Sequence, residues 1–297
     1  MADDTRKDEF NPNQGHGDHI DCAYDGAASQ FAVLWLSEAA REGDIIGKTR
    51  LPVENGLGDG FPAQTNAFLL GLLGAPLRAV VLIAEKAPRD NVLVSGYPEC
   101  DGAEVAVRLT AIHEWSNGLE ATLEGTVLGG ERDIAFFDTR YALHKRDYAI
   151  GGEYVFSLAA LAYNAEILGE DKRYFKLEGE EARDWMDRVG SKIGFEPERD
   201  ENGQVQLVKM DMGGMVAYFK GPAAYPDDCE FQSPVFGGTD ELEAFGLGFY
   251  RFSIGIARDE EDVVVPLFAK KSLFPRPPAE DDPIRGHLWL QGHMKEN

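Results

Sequence analysis

The chain has few basic residues, few cysteines and no long apolar runs. Lys and Arg number 29 against 52 Asp and Glu, which gives a formal net charge of −23 with His neutral. Proteins that grip nucleic acid gain most of their affinity by replacing phosphate counterions with Lys and Arg. The charge balance therefore argues against a nucleic-acid partner. It favours a soluble acidic surface, with mimicry of DNA toward a basic partner as an alternative.

The three cysteines, Cys22, Cys100 and Cys229, are an odd number with no short spacing. This pattern disfavours a disulfide framework and favours a reducing, cytoplasmic location. Apolar runs fall short of the roughly 20 residues that a membrane-spanning helix needs. The first residues are polar and lack the apolar core of a signal peptide. We therefore expect a cytoplasmic protein with no membrane partner.

Hydrophobic residues make up 43% of the chain, which is a globular composition. Changes in polarity along the chain predict four parts. Residues 1–25 are a flexible polar tail and residues 26–178 a β-barrel-like domain with a helix. Residues 179–204 are a charged linker, and residues 205–297 are a second β-barrel-like domain. The expected fold class is mainly β, with two small antiparallel barrel or sandwich units and a short helical N-terminal portion.

Alternating apolar residues are the basis of the β prediction. Val105, Val107 and Leu109 occupy every second position, which is the period of a strand, and Asn117-Gly118 is a strong hairpin signal. The same period returns over residues 250–256. A meander of this size shields its edges by curling into a small barrel.

The two β regions look alike in outline. Each has a meander, then a loop, then an Ile-x-Gly step that starts the last strand, at Ile150–Gly152 and at Ile284–Gly286. This similarity favours a duplication, with a strand order that is OB-like (oligonucleotide/oligosaccharide-binding) by analogy. An analogy of fold does not dictate activity.

Two segments imitate ligand-binding loops but differ at essential positions. Residues 43–49 end like a phosphate-binding loop, but Glu42 stands where the first glycine belongs. Residues 198–209 imitate a calcium loop, but Lys209 occupies the position of the bidentate glutamate. Motifs of known catalytic families are missing. The sequence therefore predicts no cofactor and leaves the catalytic residues unassigned.

His16, His19 and Cys22 are spaced i, i+3, i+6 and are good ligand types for zinc or copper. A structural zinc site closes with a second ligand pair, and the spacing of the remaining residues indicates none. The sequence therefore assigns no metal site, and a metal at these residues remains the alternative to a solvated tail.

The strongest candidate for ligand binding is the loop 138–148, which is longer than a hairpin needs and is basic and aromatic within an acidic chain. Its candidate ligand-binding residues are Arg140, Tyr141, His144, Lys145 and Arg146. Long loops often carry binding residues, and cations beside aromatic rings hold anions or base-like rings. The matching loop of the second β region holds Lys270, Lys271, Phe274 and Arg276.

Together these features predict a non-catalytic binding or assembly module whose partner is a protein or a small anionic ligand. The OB analogy gives a first alternative, a single-stranded nucleic-acid-binding protein. A metal-assisted enzyme and an acidic DNA mimic are the others. The sequence leaves the oligomeric state and the identity of the ligand open.

Overall fold

The chain is mainly β, as predicted. The computed structural model describes residues 9–17, 19–20, 31–52, 57, 61–62, 64–72, 74, 76–88, 90–129, 132–192, 195–258 and 262–295. Strands account for 57% of the structure and helices for 15%. Among the described residues, no helix has both the length and the apolar character that crossing a membrane requires.

The first described elements are a helical segment and a small sheet. A π-helical stretch, Ala32–Leu36, continues as α1 (Ser37–Glu42). Four strands then pair in chain order into an antiparallel sheet: β1 (Asp44–Pro52), β2 (Gln64–Leu72), β3 (Leu77–Ala87) and β4 (Asp90–Cys100). Leu36 packs closely over Gly96 of β4, where a side chain would collide with it. Most of the segment that imitates a phosphate loop lies in β1.

The second group of strands is the predicted meander. It consists of β5 (Ala103–Glu114), β6 (Ala121–Val127), β7 (Asp133–Asp138), α2 (Tyr141–His144) and β8 (Glu153–Ile167). The Asn117-Gly118 turn joins β5 to β6, as predicted, and Gly118 has a φ of +69°. Glycine takes this left-handed conformation at little steric cost, which explains why the turn lies here.

A small folded insertion follows β8. It contains α3 (Glu170–Arg173), β9 (Tyr174–Glu178), α4 (Gly179–Trp185), a π-helical turn (Met186–Gly190), β10 (Glu198–Arg199) and β11 (Val205–Asp211). β11 pairs with both β9 and β10, and Ala182, Met186 and Val208 form a small core. The stretch 179–204, which the sequence analysis treats as a charged linker, thus contains regular structure.

The segment that imitates a calcium loop forms the β10–β11 hairpin. Asp200 Oδ1 accepts hydrogen bonds from the backbone N–H groups of Asn202 (2.9 Å) and Gln204 (2.8 Å). This is the ordinary role of an aspartate in a turn. Gly203 has a φ of +77°, as expected for the glycine of such a turn.

The last group of strands completes the main sheet. It consists of β12 (Ala217–Phe219), β13 (Asp228–Ala244), β14 (Leu247–Arg258), β15 (Asp262–Lys270), a 3-10 turn (Lys271–Leu273) and β16 (Pro283–Met294). The two-residue turn between β13 and β14 holds Phe245 at a φ of 55° and Gly246 at 74°. A bulky residue rarely adopts this conformation. The Phe245 ring is held by edge contacts with Phe31 (5.0 Å) and Trp35 (5.6 Å).

Nine strands form one sheet in the order β12-β13-β14-β15-β8-β16-β7-β6-β5. Additional pairings of β8 with β5 and of β13 with β16 close two circuits of hydrogen-bonded strands. One circuit is β5-β6-β7-β16-β8 and the other is β13-β14-β15-β8-β16. β8 and β16 belong to both circuits. They pair with each other from Ile167↔Ile284 to Phe156↔Met294. Strands of both predicted β domains therefore share one sheet.

Two apolar cores lie on the two faces of the main sheet. Successive residues of β16 point to opposite faces, so Leu288 and Leu290 belong to one core and Trp289 to the other. The first core combines residues of both circuits, such as Val107 and Phe252. The second core packs the main sheet against β1–β4, the helical segment and residues near the N-terminus.

Candidate functional site

Arg140 of the loop 138–148 pairs with a buried carboxylate on another strand. Arg140 Nη2 donates to Glu99 Oε1 (3.0 Å) and Arg140 Nε donates to Glu99 Oε2 (3.2 Å). Glu99 is fully buried and also lies 2.9 Å from Arg78 Nε. The charge of Arg140 is therefore largely compensated within the protein.

The other candidate residues of this loop differ in their partners and in their burial. Tyr141 Oη (3.0 Å) and Lys145 Nζ (2.5 Å) both donate to Glu114 Oε2. His144 is buried, and Arg146 is exposed and makes no ion pair with a described residue. The structure thus brings Tyr141 and Lys145 to one carboxylate, Glu114, and pairs Arg140 with another, Glu99. Ligand binding by this loop stays a prediction.

The matching loop of the second β region is also bound to neighbouring acids. Lys271 Nζ donates to Glu241 Oε2 (2.8 Å), and Arg276 Nη2 donates to Asp282 Oδ1 (2.9 Å). Lys270 and Phe274 are buried. This second loop therefore presents no concentrated positive charge.

Two of the clefts formed by described residues are large enough for a small ligand. One, of about 530 Å³, crosses β8, β12, β13 and β16. Its charged side chains are paired, since Arg285 contacts Glu166 (2.8 Å) and His287 contacts Glu230 (3.3 Å). The other, of about 580 Å³, lies between residues 9–12 and residues 222–225. The second cleft adjoins a more unusual feature, the docking of the N-terminal residues.

Residues 9–17 and 19–20, here called the docked segment, lie in a groove on the main sheet. The segment meets side chains and backbone more than 100 positions away. The ring of Phe10 stacks on the ring of His113, with 4.8 Å between the centroids. Asn11 Nδ2 donates to Tyr225 Oη (2.9 Å), and Ser116 N donates to Pro12 O (2.7 Å). Gln14 Nε2 donates to Thr122 Oγ1 (3.3 Å). A helical turn, closed from Ile20 N to His16 O (2.9 Å), ends the segment.

His16 is one of the buried side chains of the docked segment. Its Nε2 lies 2.8 Å from Oε1 of Glu120, and both residues are buried. Four aromatic rings surround the imidazole, at centroid distances of 4.6–5.3 Å: Tyr97, Trp115, Phe137 and Trp289. The pocket of His16 is thus an aromatic box with a carboxylate at one side.

His19 fills a second, neighbouring pocket. Its Nε2 lies 3.4 Å from Oδ1 of Asp228, which also accepts a hydrogen bond from Tyr163 Oη. The imidazole packs against Trp289 at 4.7 Å, and Trp289 Nε1 donates to Asp227 Oδ2 (2.8 Å). The two histidines are therefore not solvated, contrary to the expectation of a solvated tail. We call the surface formed by Tyr97, Trp115, Glu120, Phe137, Tyr163, Asp227, Asp228 and Trp289 the docking groove.

Burial dominates the ionisation of the docking groove. Burial lowers the pKa of His19 to about 4, against a partial opposing effect of Asp227. It raises the pKa of the fully buried Asp227, and it raises the pKa of Tyr163 well above its usual value, with the charge of Asp228 adding to the shift. The groove therefore favours a neutral imidazole at His19 at neutral pH.

The metal-ligand pattern His16, His19 and Cys22 lies only partly within the described residues. Among them, no three His, Cys, Asp or Glu side chains are grouped as a metal site requires. Cys22, the third residue of the sequence pattern, lies outside the described residues. Cys100 and Cys229 are buried free thiols.

A buried polar network next to the groove has no signal in the sequence. Thr139 Oγ1 (2.8 Å) and Arg140 donate to Glu99, and Tyr97 Oη donates to Thr139 O (2.5 Å). Asp138 accepts from Tyr148 Oη (2.6 Å). Tyr97 touches both this network and the ring of His16, so the network positions one wall of the groove.

No family model matches the chain, and no curated protein or solved structure is significantly similar to it. The function must therefore be argued from the groove itself. Sequence reasoning marked His16 and His19 only as ligand types for a metal. It missed Glu120, Asp227 and Trp289, because single acidic and aromatic residues far apart in the chain carry no local pattern.

Proposed function

We propose that the protein is a non-catalytic binding module that recognises a peptide segment of a partner protein through the docking groove. In the structure this groove holds residues of the same chain. The observation behind the proposal is that two imidazoles, His16 and His19, each enter a separate pocket with a carboxylate and aromatic rings. Residues three apart on a helical turn lie on the same face, and a groove that takes side chains at this spacing into separate pockets is a known means of recognising a helical peptide.

The chemistry of the groove favours a peptide over a small anion or a nucleic acid. Glu120, Asp227 and Asp228 line it, and anionic ligands are repelled by carboxylates in a site of low dielectric. Two cations of the loop 138–148 are already paired with acids, Arg140 with Glu99 and Lys145 with Glu114. A partner that carries imidazole or other basic side chains complements this surface.

We further infer that each strand circuit is a small OB-like barrel and that the two are copies of one unit. The supporting features are a three-stranded meander followed by a loop and a long strand in each half, and the parallel pairings β7–β16 and β15–β8. In OB folds the face of the second and third strands, with the loop before them, binds ligands. In the first circuit this face includes Phe137 of β7 and the loop residue Trp115, both of which contact His16.

The proposal predicts that a vacated groove binds the segment in trans. The acceptor is the full chain with His16→Ala and His19→Ala, and the probe is a fluorescently labelled synthetic peptide of residues 9–20. We expect the acceptor to bind the peptide roughly tenfold or more tightly than the unaltered chain, whose groove is filled. Fluorescence anisotropy measures the binding.

The matched control is the same peptide with Ala in place of both histidines, which we expect to lose binding to the acceptor. Circular dichroism and thermal melting establish that the acceptor is folded. If the folded acceptor does not bind the unaltered peptide, or binds both peptides with equal affinity, the docking groove does not recognise these two side chains.

A further inference from the structure

The pocket of His16 has the composition of a cation-binding cage. Trp115 and Trp289 lie 4.8 and 5.3 Å from the imidazole, Tyr97 at 5.0 Å and Phe137 at 4.6 Å. The faces of aromatic rings carry negative electrostatic potential, so rings around one point attract a cation.

A buried carboxyl group forms one side of the cage. Glu120 is 2% exposed, and its Oε2 accepts from Asn117 Nδ2 (2.5 Å) while Oε1 faces His16. Within the described chain, His16 is the titratable base that forms an ion-pair contact with Glu120. Since an ionised carboxylate is costly to bury without a positive partner, a permanent cation satisfies it better than an imidazole.

The imidazole is an incomplete occupant of this pocket. Nδ1 of His16 is buried and finds no hydrogen-bond partner among the described residues, although the side chain is only 4% exposed. An unpaired buried polar atom costs free energy. A fully substituted alkylammonium group has no N–H donor and no lone pair to leave unpaired, and it directs its positive charge at both the rings and Glu120.

We propose that the His16 pocket is a cation cage that takes an alkylammonium group, with His16 as its resident occupant. This inference rests on the proposed function, because it names the side-chain chemistry that the docking groove selects. The ammonium comes from a lysine side chain of a partner segment or from a small organic cation. The experiment separates these two sources.

The first measurement uses small probes on the full chain with His16→Ala. Tetramethylammonium is the cation, and tert-butanol is a neutral probe of similar shape. We expect tetramethylammonium to bind the variant roughly tenfold more tightly than tert-butanol, and adding Glu120→Gln to remove most of that difference. Isothermal titration and Trp fluorescence detect binding. Equal binding of the two probes, or an unchanged preference with Glu120→Gln, overturns the cage.

The second measurement remains informative if His16→Ala does not fold, because it compares the melting temperatures of other full-chain variants. It also tests whether the ammonium group can come from a lysine side chain of a peptide. In the full chain, His16→Lys is expected to melt at a higher temperature than His16→Leu, and the order is expected to reverse when Glu120→Gln is added. A peptide of residues 9–20 with Lys at position 16 is expected to bind the acceptor more tightly than one with Leu. The opposite orders overturn the inference. If the unaltered peptide still binds the acceptor, only the cation cage fails and the proposed function stands.

Discussion

At the scale of single residues, Asp138 is the most informative carboxyl of the chain. It is 1% exposed and accepts hydrogen bonds from Tyr148 Oη (2.6 Å) and from the backbone N–H of Arg140 (2.9 Å). Burial nevertheless raises its pKa to about 7. The folded state therefore holds this proton more firmly than the unfolded chain does. Its stabilising contribution is complete below about pH 4 and is lost as the pH rises through 7.

Replacing Asp138→Asn is therefore expected to stabilise the protein at pH 8 and to change little near pH 4. Asparagine is neutral at both values and keeps an oxygen for one of the two donors. The difference in the free energy of unfolding is expected to reach a few kcal/mol, since a rise of this size corresponds to roughly 4 kcal/mol. Urea unfolding at pH 4.5 and pH 8 measures it. Asp147→Asn, at an exposed position of the same loop, serves as the control.

The sequence identified Arg140, Tyr141, His144, Lys145 and Arg146 from their charge and aromatic character. It could not show that Glu99 and Glu114 neutralise Arg140 and Lys145, because these acids lie on other strands. Residue type within a loop predicts chemistry, whereas the pairing of charges depends on long-range packing.

At the scale of elements, local signals were predicted well and docking was not. The alternation around Val105 and the Asn117-Gly118 turn gave β5, β6 and their hairpin, because strand period and turn geometry are local properties. The docked segment has a polar composition that is typical of a free tail. Its burial follows from partners more than 100 positions away, at Glu120 and Asp228, which no local pattern reveals.

The docked segment is expected to lose stability in acid. The folded-state pKa of His19 is lowered to about 4, so its contribution is present above about pH 6.5 and is lost as the pH falls from there toward 4. His19→Asn, which does not titrate, is expected to flatten this part of the pH dependence. The residual slope comes partly from His293, whose pKa burial also lowers to about 4.

Thermal melting at pH 7.5 and pH 5 compares His19→Asn with the unaltered chain. His287→Asn, the same change at an exposed histidine outside the docking groove, is the control. A slope for His19→Asn as steep as that of the unaltered chain would contradict the assignment.

At the scale of the whole molecule, the two strand circuits share one long antiparallel pairing, that of β8 with β16. β8 closes the circuit of β13-β14-β15, and β16 closes the circuit of β5-β6-β7. The mainly β class followed from alternation and turns. The sequence did not predict that both circuits contain β8 and β16, because many registers and partners are compatible with the same alternation of apolar residues.

Unfolding is expected to be one transition for the main sheet. Leu288→Ala, at a fully buried position of β16, is expected to cost roughly 2–5 kcal/mol and to speed amide exchange in β5–β7 and β13–β15 alike. Val208→Ala, equally buried but in the small insertion core, is expected to affect residues 174–211 alone. Hydrogen exchange with mass spectrometry distinguishes the two patterns. Separate transitions for the two halves after Leu288→Ala would contradict a shared sheet.

The order of the strands along the chain has a consequence for synthesis, because β16 follows every other strand of both circuits. Until Pro283–Met294 has left the ribosome, β7 and β13 each lack a neighbour along part of their length, and β8 lacks its main partner. A nascent chain therefore carries open strand edges until β16 has been made. Prematurely terminated products keep those edges, which makes them natural substrates for chaperones and proteases.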